Sequence, residues 1–243
     1  MLIEIVSHAW ARDLPHYAHA LRYQLSSIAL HPPLNCHVLV TVCYCPEDHE
    51  TSNVLSWFAD GSRRSLIRPL AFSRKQLGRR SIGRNVAALS SKADVVWFSD
   101  VDQVFYEGCL DRLVLRDLVG VWSDNVVMIY PKEIMIHQDH KTGDRALARA
   151  TATSRLLDID PEEFIPKKYN RAIGGVQIVR GDFAREHGYL KDNPRWQKER
   201  KDGKMFGDFR DDLAYRRYCR KIGRIQGVRL EGMYRLRHTQ KTH

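Results

Sequence analysis

No stretch of this chain is apolar for long enough to cross a bilayer. Its longest apolar runs, at 38–45 and 95–98, are strand-length and far below the ~20 residues of a spanning helix. The opening Met1-Leu2-Ile3-Glu4-Ile5-Val6 has no basic region and includes Glu4, so a core strand is expected there and not a secretory signal. Cysteine is sparse. Five residues (Cys36, Cys43, Cys45, Cys109, Cys219) form an odd, scattered set, which argues against a disulfide framework and for reduced thiols in a cytoplasmic protein. Cys43-x-Cys45 is too tight for a C-x₂-C zinc knuckle; on a strand the two thiols share a face and read as buried packing. Internal repeats and low-complexity tracts are missing as well. So is a Gly-rich, Arg/Lys-containing loop after the first strand: Ser7-His8-Ala9-Trp10 is not one, which counts against a nucleotidyltransferase.

What is present is an ordinary globular composition, 43% hydrophobic and 28% charged over 243 residues, enough for one α/β domain with a real core. Charge is unevenly placed. Residues 1–120 hold 13 Lys/Arg against 12 Asp/Glu, whereas 121–243 hold 26 against 17, so nearly all of the net +10 falls in the second half. That concentration points to a half that meets an anion.

The first half alternates strand and helix. Apolar runs predict strands over 2–7, 36–45, 65–72 and 94–98. Three- and four-residue spacing of Leu14, Tyr17, Ala18, Leu21 and Leu25 predicts a helix over 9–30, and shorter helices are expected over 51–59 and through Val86, Ala87 and Leu89. The second half is less regular. Strands are expected over 118–122, 126–130 and 174–179, and helices over 145–157, 182–187 and 208–222. A long polar stretch over 131–171 and a basic loop over 191–206 fill the rest. Continuous apolar strands between helices predict an α/β fold with a mostly parallel sheet covered on both faces.

In such sheets ligands bind beyond the carboxyl ends of the strands. Asp100-Val101-Asp102 lies there, directly after Val95-Val96-Trp97-Phe98-Ser99. Two carboxylates at i and i+2 leaving a buried strand can ligate one hard cation, Mn²⁺ or Mg²⁺, and leave positions open for phosphate oxygens. Loop capping is the ordinary alternative for a lone D-x-D. His137-x₂-His140 lies in the polar stretch and reads as solvated. Trp122 and Trp196 are candidate stacking platforms, with core packing the better reading for Trp122.

Four segments resemble the GT-A glycosyltransferases. Ile82-Gly83-Arg84-Asn85-Val86-Ala87-Ala88-Leu89 followed by Ala93 to Asp102 is similar to that family's donor-binding segment, an Arg-Asn-rich helix start and then a strand ending in D-x-D. Ala172-Ile173-Gly174-Gly175-Val176-Gln177-Ile178-Val179 with Gly188-Tyr189 resembles its Gly-Gly strand, helix and Gly-aromatic segment. Phe206 to Arg216, containing Asp211-Asp212, resembles the acidic helix start that follows, and Arg237-His238-Thr239 the site of a third metal-ligating histidine. The resemblance implies a GT-A (Rossmann-like) mixed, mostly parallel sheet flanked by helices. It also implies a single domain over 1–243, with 1–120 binding the nucleotide sugar and 121–243 the acceptor. A UDP-sugar is the favoured donor.

Roles follow by chemistry and by that likeness. Asp102 is the expected direct metal ligand, Asp100 contacts the metal or the donor ribose, and His238 is the third ligand, with the terminal His243 a weaker substitute. Asp212, ahead of Asp211, is the candidate base that takes the acceptor hydroxyl proton in an inverting transfer, although capping also favours Asp at a helix start. Arg84 and Asn85 suit the nucleotide, Ser7 and His8 a nucleobase contact, and Gly174 and Gly175 close approach to the sugar. The basic second half favours a polyanionic acceptor. DNA carrying a hydroxymethylated base, as in bacteriophage DNA glycosyltransferases, leads over an anionic glycolipid or surface polysaccharide at a membrane's inner face. A non-catalytic nucleic-acid-binding protein is the reading from another class.

Overall fold

β1 (Leu2–His8) is buried over its last six residues, because it is an interior strand of a seven-stranded sheet and is covered on both faces. β2 (His37–Tyr44) and β4 (Val95–Ser99) pair with it in parallel on either side, and β3 (Ile67–Ala71) continues the parallel set beyond β2. On the far side of β4 lies β9 (Val176–Arg180), antiparallel to both β4 and β6 (Val126–Pro131); β10 (Arg224–Val228) closes the edge parallel to β6. The computed structural model describes residues 1–12, 16–60, 67–114, 120–123, 125–150, 155–199 and 210–238. The expected mixed, mostly parallel sheet flanked by helices is therefore present, with β9 as its one reversed strand among the described residues.

The helices differ from expectation at their ends. α1 (His16–Leu30) starts seven residues later than the helix predicted over 9–30, because Ala9-Trp10-Ala11 continues as buried non-helical chain, with Ala11 N donating to Asp48 Oδ2 at 2.6 Å. Asp48 also caps α2 (His49–Ala59), so one carboxylate fixes both segments. α3 (Arg74–Leu77) is capped by Ser73, and α4 (Arg80–Ser90) follows at once.

The described residues of 131–171 are not one long loop. β7 (Glu133–His137) and β8 (Phe164–Lys168) form a second sheet with β5 (Gln103–Phe105) and β11 (Met233–Arg235), ordered β5-β11-β7-β8. The helix expected at 145–157 runs instead as α5 (His140–Arg149), earlier because Asp139 accepts from Thr142 N at 2.7 Å and sets its start. His137 is likewise not solvated. It is buried against Phe164 at 4.0 Å between ring centroids, it accepts from Arg237 N, and burial lowers its pKa to about 4.

α6 (Gly181–His187) ends at Gly188, α7 (Pro194–Gln197) falls within the expected basic loop, and α8 (Arg210–Ile222) completes the helices. The expected strand at 118–122 is absent over 120–122, of which 120 and 121 form a turn; its remainder lies outside the described residues, as do 151–154, 200–209 and 239–243, including Phe206, Asp208, Thr239 and His243. All five cysteines are buried free thiols. Among the described residues no helix is long and apolar enough to cross a membrane.

Candidate active site

β4 stops at Ser99 and the chain turns through Asp100-Val101-Asp102 into β5, with Val101 buried in the core. Gln24 of α1 holds that turn. Its side-chain amide donates to the carbonyls of Asp100 (2.9 Å) and Gln103 (3.2 Å), while its oxygen accepts from Ser7 Oγ at 2.7 Å. From the other side, Leu236 N donates to the Asp102 carbonyl (2.8 Å) and Arg235 Nε to Asp102 Oδ2 (2.9 Å). Helix, large sheet and small sheet thus converge on the two carboxylates.

A second group of charges meets them. Arg80 and Arg84 stand four residues apart on one face of α4 and are both buried. Arg80 donates to Asp100 Oδ1 and to Asp212 Oδ2, each at 3.2 Å. Arg84 donates to Asp212 Oδ1, and to Asp100 Oδ1 at 3.4 Å. Tyr189, stacked on Tyr215 at 4.0 Å, donates its hydroxyl to Asp212 Oδ1 at 3.0 Å. Buried guanidinium groups are costly in desolvation unless paired, and here two carboxylates serve both.

Strand direction explains how Asp212 reaches Asp100. Because β9 is reversed, its start lies at the same sheet edge as the end of β4, with Ser99 opposite Val176. Gly174 and Gly175 immediately precede it. A Cβ on Gly174 would overlap Asp212 Oδ2, and one on Gly175 would stand 2.9 Å from Asp100 Oδ2. The glycines are therefore required first by the protein's own carboxylates. Gly83 plays the same part under α4, where a Cβ would overlap His8 Nε2.

These groups surround a cavity of about 430 Å³ at the carboxyl edge. Asp100, Asp102, Asp212, Gly174, Gly175 and His238 line it, and so does His8. Four other expected site residues do not. Ser7 is buried on Gln24, Arg84 lies behind Asp212, Asn85 accepts from Tyr189 N at 3.0 Å, and Asp211 is 1% exposed beneath its neighbour. Arg84 and Asn85 also sit in the second turn of α4 and not at its start, so the nucleotide contact expected of them is replaced by internal ones. Trp196 is no stacking platform. It is 4% exposed with Arg79 and Arg195 over its ring at 5.3 and 5.1 Å, and Trp122 packs half-buried against the core.

Electrostatics separate the carboxylates. Burial and the neighbouring Asp212 push Asp211 up to about 6. Burial would raise Asp212 too, but Arg84 and Arg80 outweigh it and hold its pKa below the usual carboxylate range. Asp100 is raised, chiefly by burial, against the pull of Arg80. Burial and then Arg84 keep His8 neutral, and burial with His238 lowers His16 to about 4.

Residue-type reasoning missed Gln24, Arg80, Tyr189, His16 and Arg235. The i,i+4 spacing of Arg80 and Arg84 was a usable signal for one of them; Gln24 and Arg235 carried none. For a divalent cation the donor types fit. Asp100 and Asp102 offer carboxylate oxygens on the cavity wall, and His238 lines the same cavity with a buried Nδ1 that has no hydrogen-bond partner among the described residues. They are not gathered into a ready cluster of three among those residues, and Arg235 stands on Asp102 as a resident cation.

No family model and no characterised protein matches the sequence. The fold has relatives among solved structures. The mannosyltransferase PcManGT from Pyrobaculum calidifontis, in complex with GDP-Man and Mn²⁺, superposes at a TM-score of 0.59 with 10% identity over 98% of this chain. S. aureus TarS 1–349 superposes at 0.54 with 13% identity over 97%. The chain spans 58% and 60% of those two chains. At such identities the likeness is one of architecture: this chain has the GT-A type of α/β fold, a mostly parallel sheet flanked by helices.

Proposed function

We propose that the protein is a glycosyltransferase that binds a nucleotide sugar in this cavity and passes the sugar to a hydroxyl of an acceptor. The observation that carries the reading is the convergence of Asp100, Asp102 and Asp212 on one cavity at the carboxyl edge of the sheet. Asp100 and Asp102, with His238, would hold Mn²⁺ or Mg²⁺. Bound there, the cation supplies charge neutralisation for a departing nucleoside diphosphate. His8 and Ser7 close the end of β1, where the base would lie, and a UDP-sugar is the first donor to try.

Asp212 is the proposed base. It lines the cavity, stays anionic, and accepts three donors that fix its carboxylate plane. Direct attack by a hydroxyl deprotonated at Asp212 is a single displacement, hence an inverting transfer. Residues 1–120 would serve the donor and 121–243 the acceptor. On charge alone, DNA with a hydroxymethylated base is the acceptor to test first, with a surface glycan or lipid-linked acceptor as the alternative.

The test is release of nucleoside diphosphate from UDP- and GDP-sugars with Mn²⁺, with and without hydroxymethylcytosine DNA. Release lost in both Asp102→Asn and Asp212→Asn supports the reading. Absence of release from every donor, or release indifferent to Asp102→Asn, contradicts it.

A further inference from the structure

The arginines around the cavity fall into two kinds. Arg80 is matched by Asp100 and Asp212, and Arg235 by Asp102. Arg171 and Arg216 line the same cavity and have no carboxylate partner among the described residues. Arg216 is half-buried. It uses one nitrogen on the Ala172 carbonyl at 2.7 Å, and its Nε is buried with no hydrogen-bond partner. That bond ties it to the Arg171–Gly174 segment, whose Gly174 abuts the Asp212 carboxylate. Arg216 is also four residues beyond Asp212 on α8, hence on the same helix face, with Cβ atoms about 5–6 Å apart. Burial, then repulsion from Arg171, Arg220 and Arg217, disfavours its charge by more than the nearby Asp212 favours it. An anion held between two guanidinium groups beside a cavity would relieve the rest of that repulsion, and planar guanidinium forks suit the oxygens of phosphate.

We infer that Arg171 and Arg216 form an oxyanion subsite on the Asp212 side of the cavity. There the acceptor's phosphate binds within about one helical turn of the hydroxyl that receives the sugar. This rests on the proposed function, which puts the accepting hydroxyl at Asp212. The substrate class it names is a hydroxyl compound bearing a nearby phosphate, whether a free monoester or a diester within a polymer. The pairing pattern separates this subsite from the donor: the cations next to the D-x-D are already matched, and the unmatched pair flanks the base.

Calorimetric titration of the full chain tests it, with glycerol 3-phosphate as monoester, dimethyl phosphate as diester and glycerol as uncharged control. UDP and GDP with Mn²⁺ are titrated into the same samples. The expected result is that one or both phosphates bind and glycerol does not. The affinity then falls at least tenfold in Arg171→Gln/Arg216→Gln, while nucleoside diphosphate binding holds. Monoester against diester preference tells a small acceptor from a polymer. Arg171 is exposed, so Arg171→Gln alone, expected to lose part of the affinity, covers a failure of the double variant to fold. Phosphate binding undiminished by the variants, or absent from the wild type, overturns the subsite while nucleoside diphosphate binding leaves the donor reading standing. Loss of nucleoside diphosphate binding in the variants overturns it by assigning the arginines to the donor. If the wild type binds no nucleoside diphosphate, the donor reading fails and the acceptor subsite fails with it.

Discussion

Asp211 and Asp212 are neighbours with opposed surroundings. Asp212 faces the cavity and two guanidinium groups, whereas Asp211 is buried beneath it, with one carboxylate oxygen lacking any hydrogen-bond partner among the described residues. An acid whose folded pKa is raised opposes folding while ionised. For Asp211 that penalty is present above pH 6, is relieved as the pH falls from about 6 toward 4, and is gone below the unfolded value of about 4. Asp211→Asn is therefore expected to stabilise the protein at pH 7–8 by roughly 2–3 kcal/mol, or several degrees in Tm, and by nothing near pH 4. Thermal melts of both proteins across that range check it; an equal difference at both ends contradicts it. Asp212→Asn should instead leave the fold intact and lower kcat by about 10²–10⁴, the usual worth of a general base. Arg235 supplies a third prediction. Its guanidinium competes with any cation for Asp102, so Arg235→Gln should tighten Mn²⁺ binding several-fold, read by Mn²⁺ paramagnetic resonance. Weaker or unchanged binding would show that Arg235 does not compete.

Among the elements, the reversed strand β9 and helix α1 do most to build the site. Gly174 lets the β9 entry press on Asp212, so Gly174→Ala should displace that carboxylate from Arg84 and Tyr189 and cost activity at least tenfold. Gln24 is fully buried and joins β1 to the D-x-D turn. Gln24→Leu leaves those partners unsatisfied and should destabilise by about 1–3 kcal/mol while raising the donor KM. Denaturant unfolding and steady-state kinetics measure the two effects. The middle of the large sheet was legible in the sequence because β1, β4, β6 and β9 are buried over nearly their whole length and read as largely apolar runs, whereas the edge strands β3 and β10 are half-exposed. The small sheet was not. β5 and β11 have three residues each, β8 buries Phe164 and exposes the remaining four, and β7 has only the three-residue apolar run Ile134-Met135-Ile136 between Glu133 and His137. The start of α5 was readable from Asp139 and Thr142, but the apolar pattern that locates a helix begins only at Ala146.

Over the whole molecule, the candidate site draws on residues from His8 to His238, and local motifs pointed to only part of it. Asp100, Asp102, Asp212 and the glycine pair were legible because each lies at the end or start of an element, and His238 was named through the family resemblance. Arg80, Tyr189 and Arg235 become site residues only through packing at distance, from α4 beside β4, the chain after α6, and β11 across the sheets. The uneven charge also takes on a location. The nearly neutral half supplies β1, β4 and the matched Arg80, whereas the basic half supplies the unmatched Arg171 and Arg216. The proposed function requires this cavity to hold a nucleotide sugar through Asp100 and Asp102. Equilibrium binding of UDP and GDP, with and without Mn²⁺, tests it most directly. Binding is expected to depend on Mn²⁺, to be lost in Asp102→Asn and to persist in Asp212→Asn. Binding that ignores both Mn²⁺ and Asp102→Asn, or no binding at all, would contradict it.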